Sequence, residues 1–222
     1  MLLRFLASVT ALLLAWGVAQ EAEGTQPPEG RPFAALTILS NGRQTIDLVT
    51  GLTTLPDGGR LMDARTGVEV LAQVIRYVEG EYIEATAVTV TGVFGEVTAE
   101  ALRIDVKTSL LTATGELRLA RDGLRVSATS LRYDAVDQVA VFDGGVAGTE
   151  PTFSADRVLL DILTGDVLLD GRYEYAGGLF TMRSPEVGGR LQLTLQQVGE
   201  AVTYAATTEV SPALLERFKA YL

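Results

Sequence analysis

The feature that most constrains the fold of this chain is a degenerate repeat in its middle. A small residue, an acid and a glycine each return three times, first after 29 and then after 27 residues. A fixed period of this length marks a supersecondary unit that buries its apolar face only by stacking on its neighbours. The repeat therefore predicts a regular stack of similar units. Its anchors are Ala99, Ala128 and Ala155, then Asp105, Asp134 and Asp161, and finally Gly115, Gly144 and Gly171.

The chain within and after these anchors has the patterns of β-strands. Segments 102–107 and 191–196 alternate apolar and polar residues, which indicates half-buried strands. Segment 158–169 is apolar on nearly both faces, which is typical of strands covered on both sides. The three repeated acids and the triplet Asp143-Gly144-Gly145 have the chemistry of turns. We therefore predict an all-β fold with about 12 to 16 strands.

The N-terminal part of the chain differs from this β-rich body. Residues 1–19 combine a basic start, an apolar run and small residues before Ala19, which is typical of a signal peptide cleaved after that residue. A retained membrane anchor is the alternative, although the apolar run is shorter than the roughly 20 residues that span a bilayer. Residues 20–34 are polar and rich in Pro and Gly, so we expect a disordered linker before a β domain at residues 35–210.

The C-terminal residues 211–222 predict a short helix. Ser211 can cap it, Pro212 suits its first position, and Leu214 and Phe218 share an apolar side. We expect this helix to cover an open end of the β structure. Docking on a partner is the alternative.

The composition excludes several classes of function. The chain has no His and no Cys, and its single Trp16 lies in the predicted signal peptide. It therefore lacks the usual general base near neutral pH, the common metal ligands and the strongest platform for sugars. Its net charge of −10 disfavours nucleic acid as a partner. We expect no enzymatic activity, no cofactor and no metal site.

A longer stretch of the repeat resembles the repeat unit of a known family. Residues 126–146, followed by 153–158, resemble a unit of the OstA-like (LptA-type) family of periplasmic lipopolysaccharide-transport proteins, with Gly145 where that family often has Asn. The resemblance covers residues 95–185 well and 36–94 only loosely. It implies an elongated antiparallel β-jellyroll built from two-strand repeats, with an apolar interior that receives acyl chains. It also implies a periplasmic location and partners that include an amphipathic envelope lipid, other OstA-like domains paired by their strand edges, and an outer-membrane assembly protein.

Equivalent apolar positions in successive strands are the candidate lining of such a groove. The alternative for each is an ordinary place in a β core. Three arginines, Arg103, Arg132 and Arg157, also recur, and we expect them to pair across strands with nearby acids rather than to bind phosphate. The candidate lining residues are Leu102, Ile104, Leu131, Tyr133, Val141, Phe153, Val158, Leu160, Val167 and Leu169.

Three functions are therefore compared. The leading hypothesis is a periplasmic, non-enzymatic carrier or bridge for a lipopolysaccharide-like lipid. The second is a structural β-solenoid or jellyroll module of the cell envelope that binds no ligand, and the third is an exported carbohydrate-active jellyroll. A gap between two sheets, lined by apolar side chains, favours the carrier, whereas a sealed core favours the scaffold. The sequence leaves open whether the fold is a jellyroll or a parallel β-helix.

Overall fold

The structure, a computed structural model, describes residues 30–177, 180–198 and 201–222. The predicted signal peptide and most of the predicted linker lie outside the described residues. The described part forms fifteen strands and one short helix, and every paired strand is antiparallel. This confirms the all-β prediction and identifies an antiparallel, jellyroll-like sheet rather than a parallel β-helix. The elements are β1 (Leu36–Ser40), β2 (Thr45–Ile46), β3 (Thr53–Leu55), β4 (Gly59–Asp63), β5 (Val68–Val78), β6 (Tyr82–Gly92), β7 (Gly95–Asp105), β8 (Leu110–Arg121), β9 (Leu124–Asp134), β10 (Val139–Glu150), β11 (Thr152–Asp161), β12 (Val167–Gly177), β13 (Phe180–Ser184), β14 (Arg190–Val198), β15 (Ala201–Thr207) and α1 (Pro212–Phe218).

One continuous sheet is folded into two facing walls. At one end, β5 pairs with β4 through residues 68–72 and with β3 through residues 75–77. At the other end, β12 pairs with β14 through residues 167–170 and with β13 through residues 173–177. The two halves of each long strand therefore belong to different walls. Wall 1 consists of β1, β4, β13 and the half-strands 68–72, 88–92, 95–99, 117–121, 124–128, 146–150, 152–155 and 173–177, and wall 2 consists of β2, β3, β14, β15 and the half-strands 74–78, 82–86, 101–105, 110–114, 130–134, 139–143, 157–161 and 167–170.

The repeated glycines lie along the crease between the walls. Gly115 has a φ of +100°, and a Cβ added to it would lie 2.5 Å from the Cβ of Glu100 on the neighbouring strand. Gly144 and Gly171 stand in the same relation to Thr129 and Asp156. The strand pairing shifts register at each of these places, as it does at β-bulges, which bend a strand without ending it. The prediction of a turn at Asp143-Gly144-Gly145 is therefore wrong, because these residues lie inside β10.

The repeated acids are turn residues, as predicted. Asp105 accepts a hydrogen bond from the backbone N–H of Thr108 at 2.8 Å, and this bond lowers the pKa of Asp105. Asp134 accepts from the backbone of Val136 at 3.0 Å, and Asp161 accepts from that of Leu163 at 2.9 Å. Each acid is the last residue of its strand. Its carboxylate accepts a hydrogen bond from a backbone N–H of the following turn, which has no partner in the sheet.

Two of the three recurring arginines form the cross-strand pairs that the sequence predicts. Arg103 pairs with Glu84, which lies directly opposite on β6. Arg157 Nε lies 2.9 Å from Asp143 Oδ1, again on facing positions of neighbouring strands. Both pairs lie on the outside of the walls and bridge neighbouring strands.

Helix α1 covers the outer face of wall 2. Ser211 caps it by accepting from the backbone N–H of Leu214 at 3.2 Å. Leu214 and Phe218 pack on an apolar patch of β10–β12 formed by Val139, Val141, Leu159 and Leu168. The expectation that the helix covers an open end is therefore wrong. The helix lies on the outer face instead, because β10–β12 are apolar on both faces and their outer surface must also be buried.

Polar contacts fix the helix end to the turns of wall 2. Arg217 Nε lies 2.9 Å from Asp161 Oδ2, and the hydroxyl of Tyr221 donates to Asp137 at 2.7 Å. The side-chain hydrogen bond to Asp161 raises the pKa of Arg217. One of the repeated acids therefore serves both its turn and the helix.

Candidate apolar binding site

Nine of the ten candidate lining residues lie in the core between the walls. The exception is Val141, which lies on the outer face of wall 2 beneath Phe218. Strand alternation explains the position of Val141, because Ala140 and Phe142 point inward on β10 and Val139 and Val141 point outward. The nine inward residues are Leu102, Ile104, Leu131, Tyr133, Phe153, Val158, Leu160, Val167 and Leu169.

The middle of the interior is filled. The space between the walls there is a void of about 10 Å³, lined by residues of both walls that include Val97, Leu119, Leu131 and Leu160. That is room for about one water molecule, whereas a ligand pocket usually needs about 300 Å³ or more. In this structure the nine inward residues are thus packed core.

The walls part at the N-terminal end of the sheet. A cavity of about 410 Å³, which we call the mouth, opens there between the edge strand β1 of wall 1 and strands β5 and β6 of wall 2. Leu36 and Ile38 face it from β1, and Tyr77 and Ile83 face it from wall 2. Its other lining residues are Phe33, Ala34, Ala35, Val78, Glu79, Gly80 and Val106.

None of the mouth residues was among the sequence candidates. The alternation of Leu36 and Ile38 on β1 was the available signal, but it predicts only a half-buried strand. β1 skips β2 and β3 and pairs with β4 at the edge of wall 1, and the sequence does not indicate this pairing. The pairing places the two side chains opposite wall 2.

The segment just before β1 forms the inner boundary of the mouth. Phe33 is 1% exposed, and its backbone N–H donates to Asp63 Oδ2 at 2.8 Å. The carbonyl of Pro32 accepts from Ser109 Oγ at 3.0 Å. Phe33 has a φ of +61°, a conformation that costs a bulky residue about 1–3 kcal/mol and persists only where the surroundings hold it. The fold therefore includes Phe33, which lies in the range predicted as linker.

The turns of the two walls meet along a seam on the side opposite the crease. Phe94 of wall 1 packs edge-on against Tyr133 of wall 2, with ring centroids 5.1 Å apart. Further along, Arg121 Nη2 donates to the carbonyl of Ile162 at 2.8 Å. Burial raises the pKa of Tyr133 to about 12. These contacts close the interior from the side at two points along the seam.

Comparison with known proteins adds no assignment. No family model matches the chain, and no curated protein matches it. Within the described ranges, no group of three or more acidic side chains is arranged to hold a metal ion. The one helix of the described chain is too short to cross a membrane.

Proposed function

We propose that the protein is a periplasmic, non-enzymatic carrier or bridge for an amphipathic envelope lipid and holds an acyl chain between its two walls. The observation that carries this proposal is the mouth, where two sheets part and apolar side chains line the gap. Its volume of about 410 Å³ lies within the range of small-molecule sites, about 300–1,000 Å³. Each methylene group transferred from water into such a site contributes about 0.8 kcal/mol.

A chain longer than the mouth has to displace side chains from the interior. Phe33 is the candidate for displacement, because it is buried at the inner boundary of the mouth and its backbone is strained. Moving it aside releases that strain and exchanges its apolar contacts for those of the ligand. The filled middle of the interior is then a ligand-free state of the same site.

A scaffold without ligand is the second candidate. The observation that favours it is the void of only about 10 Å³ in the middle of the core, which fits a sealed structural module. The two functions differ in one measurable property, which is whether the mouth binds an apolar chain.

Binding of an uncharged fluorescent chain distinguishes them. We expect the methyl ester of cis-parinaric acid to bind the wild-type protein and to gain fluorescence in the mouth. Ile38→Glu places a carboxylate in the mouth and should weaken binding about tenfold or more, since burying a charge without a partner is costly. Leu39→Glu is the matched control, because Leu39 is the next residue on β1, is 48% exposed and does not line the mouth.

The outcomes separate the two candidates. Binding that Ile38→Glu abolishes and Leu39→Glu leaves intact supports the carrier. No binding of the ester by the wild-type protein, or equal loss in both variants, refutes the mouth as a chain site and leaves the scaffold. Mass spectrometry of lipid extracted from the purified wild-type protein is the complementary measurement.

A further inference from the structure

A second cleft lies on the seam next to the mouth. This seam cleft has a volume of about 230 Å³ and runs between the turns of wall 1 and wall 2. Two of its polar groups have no partner among the described residues. Arg65 donates only its backbone N–H, to Asp63 Oδ1 at 3.0 Å, and its guanidinium pairs with no carboxylate there. The lining residues are Pro32, Arg65, Thr66, Val93, Tyr133, Ala135 and Gln138.

The second unpartnered group is the hydroxyl of Tyr133. Its residue is only 2% exposed, but its hydroxyl is not enclosed, because the fully buried polar side-chain atoms without a partner in the described chain are Arg121 Nη1 and Asp166 Oδ1. The hydroxyl therefore reaches the cleft, where a ligand or a water molecule can accept its hydrogen bond. A free guanidinium beside a free hydroxyl donor suits an anion, because both groups donate to oxygen and a guanidinium matches the geometry of carboxylate and phosphate.

The seam cleft and the mouth are neighbours along the chain. Pro32 lines the cleft, and the next four residues, 33–36, line the mouth. Consecutive Cα atoms are about 3.8 Å apart, so both cavities border the same short segment. An amphiphile that spans this segment would therefore place its anionic head in the cleft and its tail in the mouth.

We propose that the seam cleft binds the anionic head group, carboxylate or phosphate, of a single-chain amphiphile whose tail lies in the mouth. Arg65 provides the charge, and Tyr133 and Gln138 provide neutral donors. The volume of the mouth corresponds to the lower end of the small-molecule range, which suits one chain rather than a lipid with several chains. This inference rests on the proposed function, because the tail site is the same mouth.

A pair of probes that differ only at the head group tests this site. cis-Parinaric acid has a carboxylate where its methyl ester has none. We expect the wild-type protein to bind the acid about tenfold more tightly than the ester, a difference of about 1.4 kcal/mol. The net charge of −10 repels any anion, so a preference for the acid must come from a local group.

Arg65→Gln should remove the preference without weakening the ester, and Tyr133→Phe should reduce it in part. Arg76→Gln is the matched control, because Arg76 is also exposed and without an ion pair in the described part of the chain but does not line either cavity. Dodecyl phosphate should displace the acid, and inorganic phosphate alone should not.

Each outcome is decisive. If the ester binds but Arg65→Gln leaves the preference for the acid unchanged, the head-group site is wrong and the chain site stands. Loss of the preference in Arg76→Gln as well assigns it to general electrostatics and also refutes the site. Displacement by inorganic phosphate alone identifies a plain anion site and contradicts the amphiphile. Failure of both probes to bind overturns this inference together with the proposed function.

Discussion

Substitution of a glycine in the crease gives the sharpest test of how the sheet is folded. Gly115→Ala has two separate costs. The first is backbone strain, since a φ of +100° is unfavourable for any residue with a Cβ and costs about 1–2 kcal/mol. The second is overlap, because the new Cβ would lie 2.5 Å from the Cβ of Glu100 and neighbouring atoms of that side chain. Overpacking of this kind costs about 1–3 kcal/mol, so we expect a total loss of about 2–5 kcal/mol.

The chain contains a control that separates the two costs. Gly145 also has a positive φ, of +70°, but no atom lies within 4 Å of a Cβ added to it. Gly145→Ala should therefore have the backbone cost alone, about 1–2 kcal/mol. In a Glu100→Gly background, Gly115→Ala should lose its additional cost, which gives a coupling energy of about 1–3 kcal/mol between the two positions.

Urea denaturation of the four variants and the wild-type protein measures these differences. The expected order of stability places Gly115→Ala well below Gly145→Ala, with unchanged slopes of the transitions. If both glycine variants lose the same free energy, and Glu100→Gly gives no coupling, the strands do not approach each other at the crease and the folded-sheet explanation of the repeat is refuted.

Two further predictions concern buried aromatic residues. Burial raises the pKa of Tyr133 from 10 to about 12, so between these pH values the folded state keeps a proton that the unfolded state releases. The stability that this residue contributes is complete below about pH 10 and is lost as the pH rises towards 12. The loss amounts to at most about 2.7 kcal/mol. Tyr133→Phe should therefore lose less stability than the wild-type protein between pH 10 and 12 in urea titrations, and an identical pH dependence would contradict the buried position of the phenol. Phe218→Ala should lower the free energy of unfolding by about 3–5 kcal/mol because Phe218, the last residue of α1, is fully buried against wall 2, whereas Leu222→Ala at an exposed position should cost less than about 0.5 kcal/mol, and equal effects in thermal melts would show that the helix is not docked.

The strands and their turns were predictable because their signals are local. Alternation over a few residues fixes which side of a strand is buried, and an acid that ends a strand accepts from the turn regardless of what packs nearby. The turn predicted at Asp143-Gly144-Gly145 is wrong for the same reason. Glycine with a positive φ occurs both in tight hairpin turns and in bulges, so local chemistry alone does not distinguish a strand that ends from one that bends.

The site and the helix position depend on contacts that are distant in sequence. Val141 belongs to a run of four buried residues, 139–142, in which nothing local tells the inner face from the outer one. The two faces are distinguished by helix α1, which begins about 70 residues later and covers the outer one. In the same way, the mouth exists because β1 pairs with β4 at an edge of the sheet, which no pattern within β1 indicates.

The two ends of the folded sheet are built alike but are not equally open. Both split at the crease, since β5 and β12 each pair with two different strands through their two halves. At the C-terminal end, Tyr204 and Ala206 of β15 pack against the core, and burial raises the pKa of Tyr204 to about 12. At the N-terminal end, the outermost strands of wall 2, β3 and β2, have only three and two residues, and Leu36 and Ile38 reach across from β1 without filling the gap. The repeat thus produces two potential openings, and the length of the wall 2 strands at each end decides how far each one is closed.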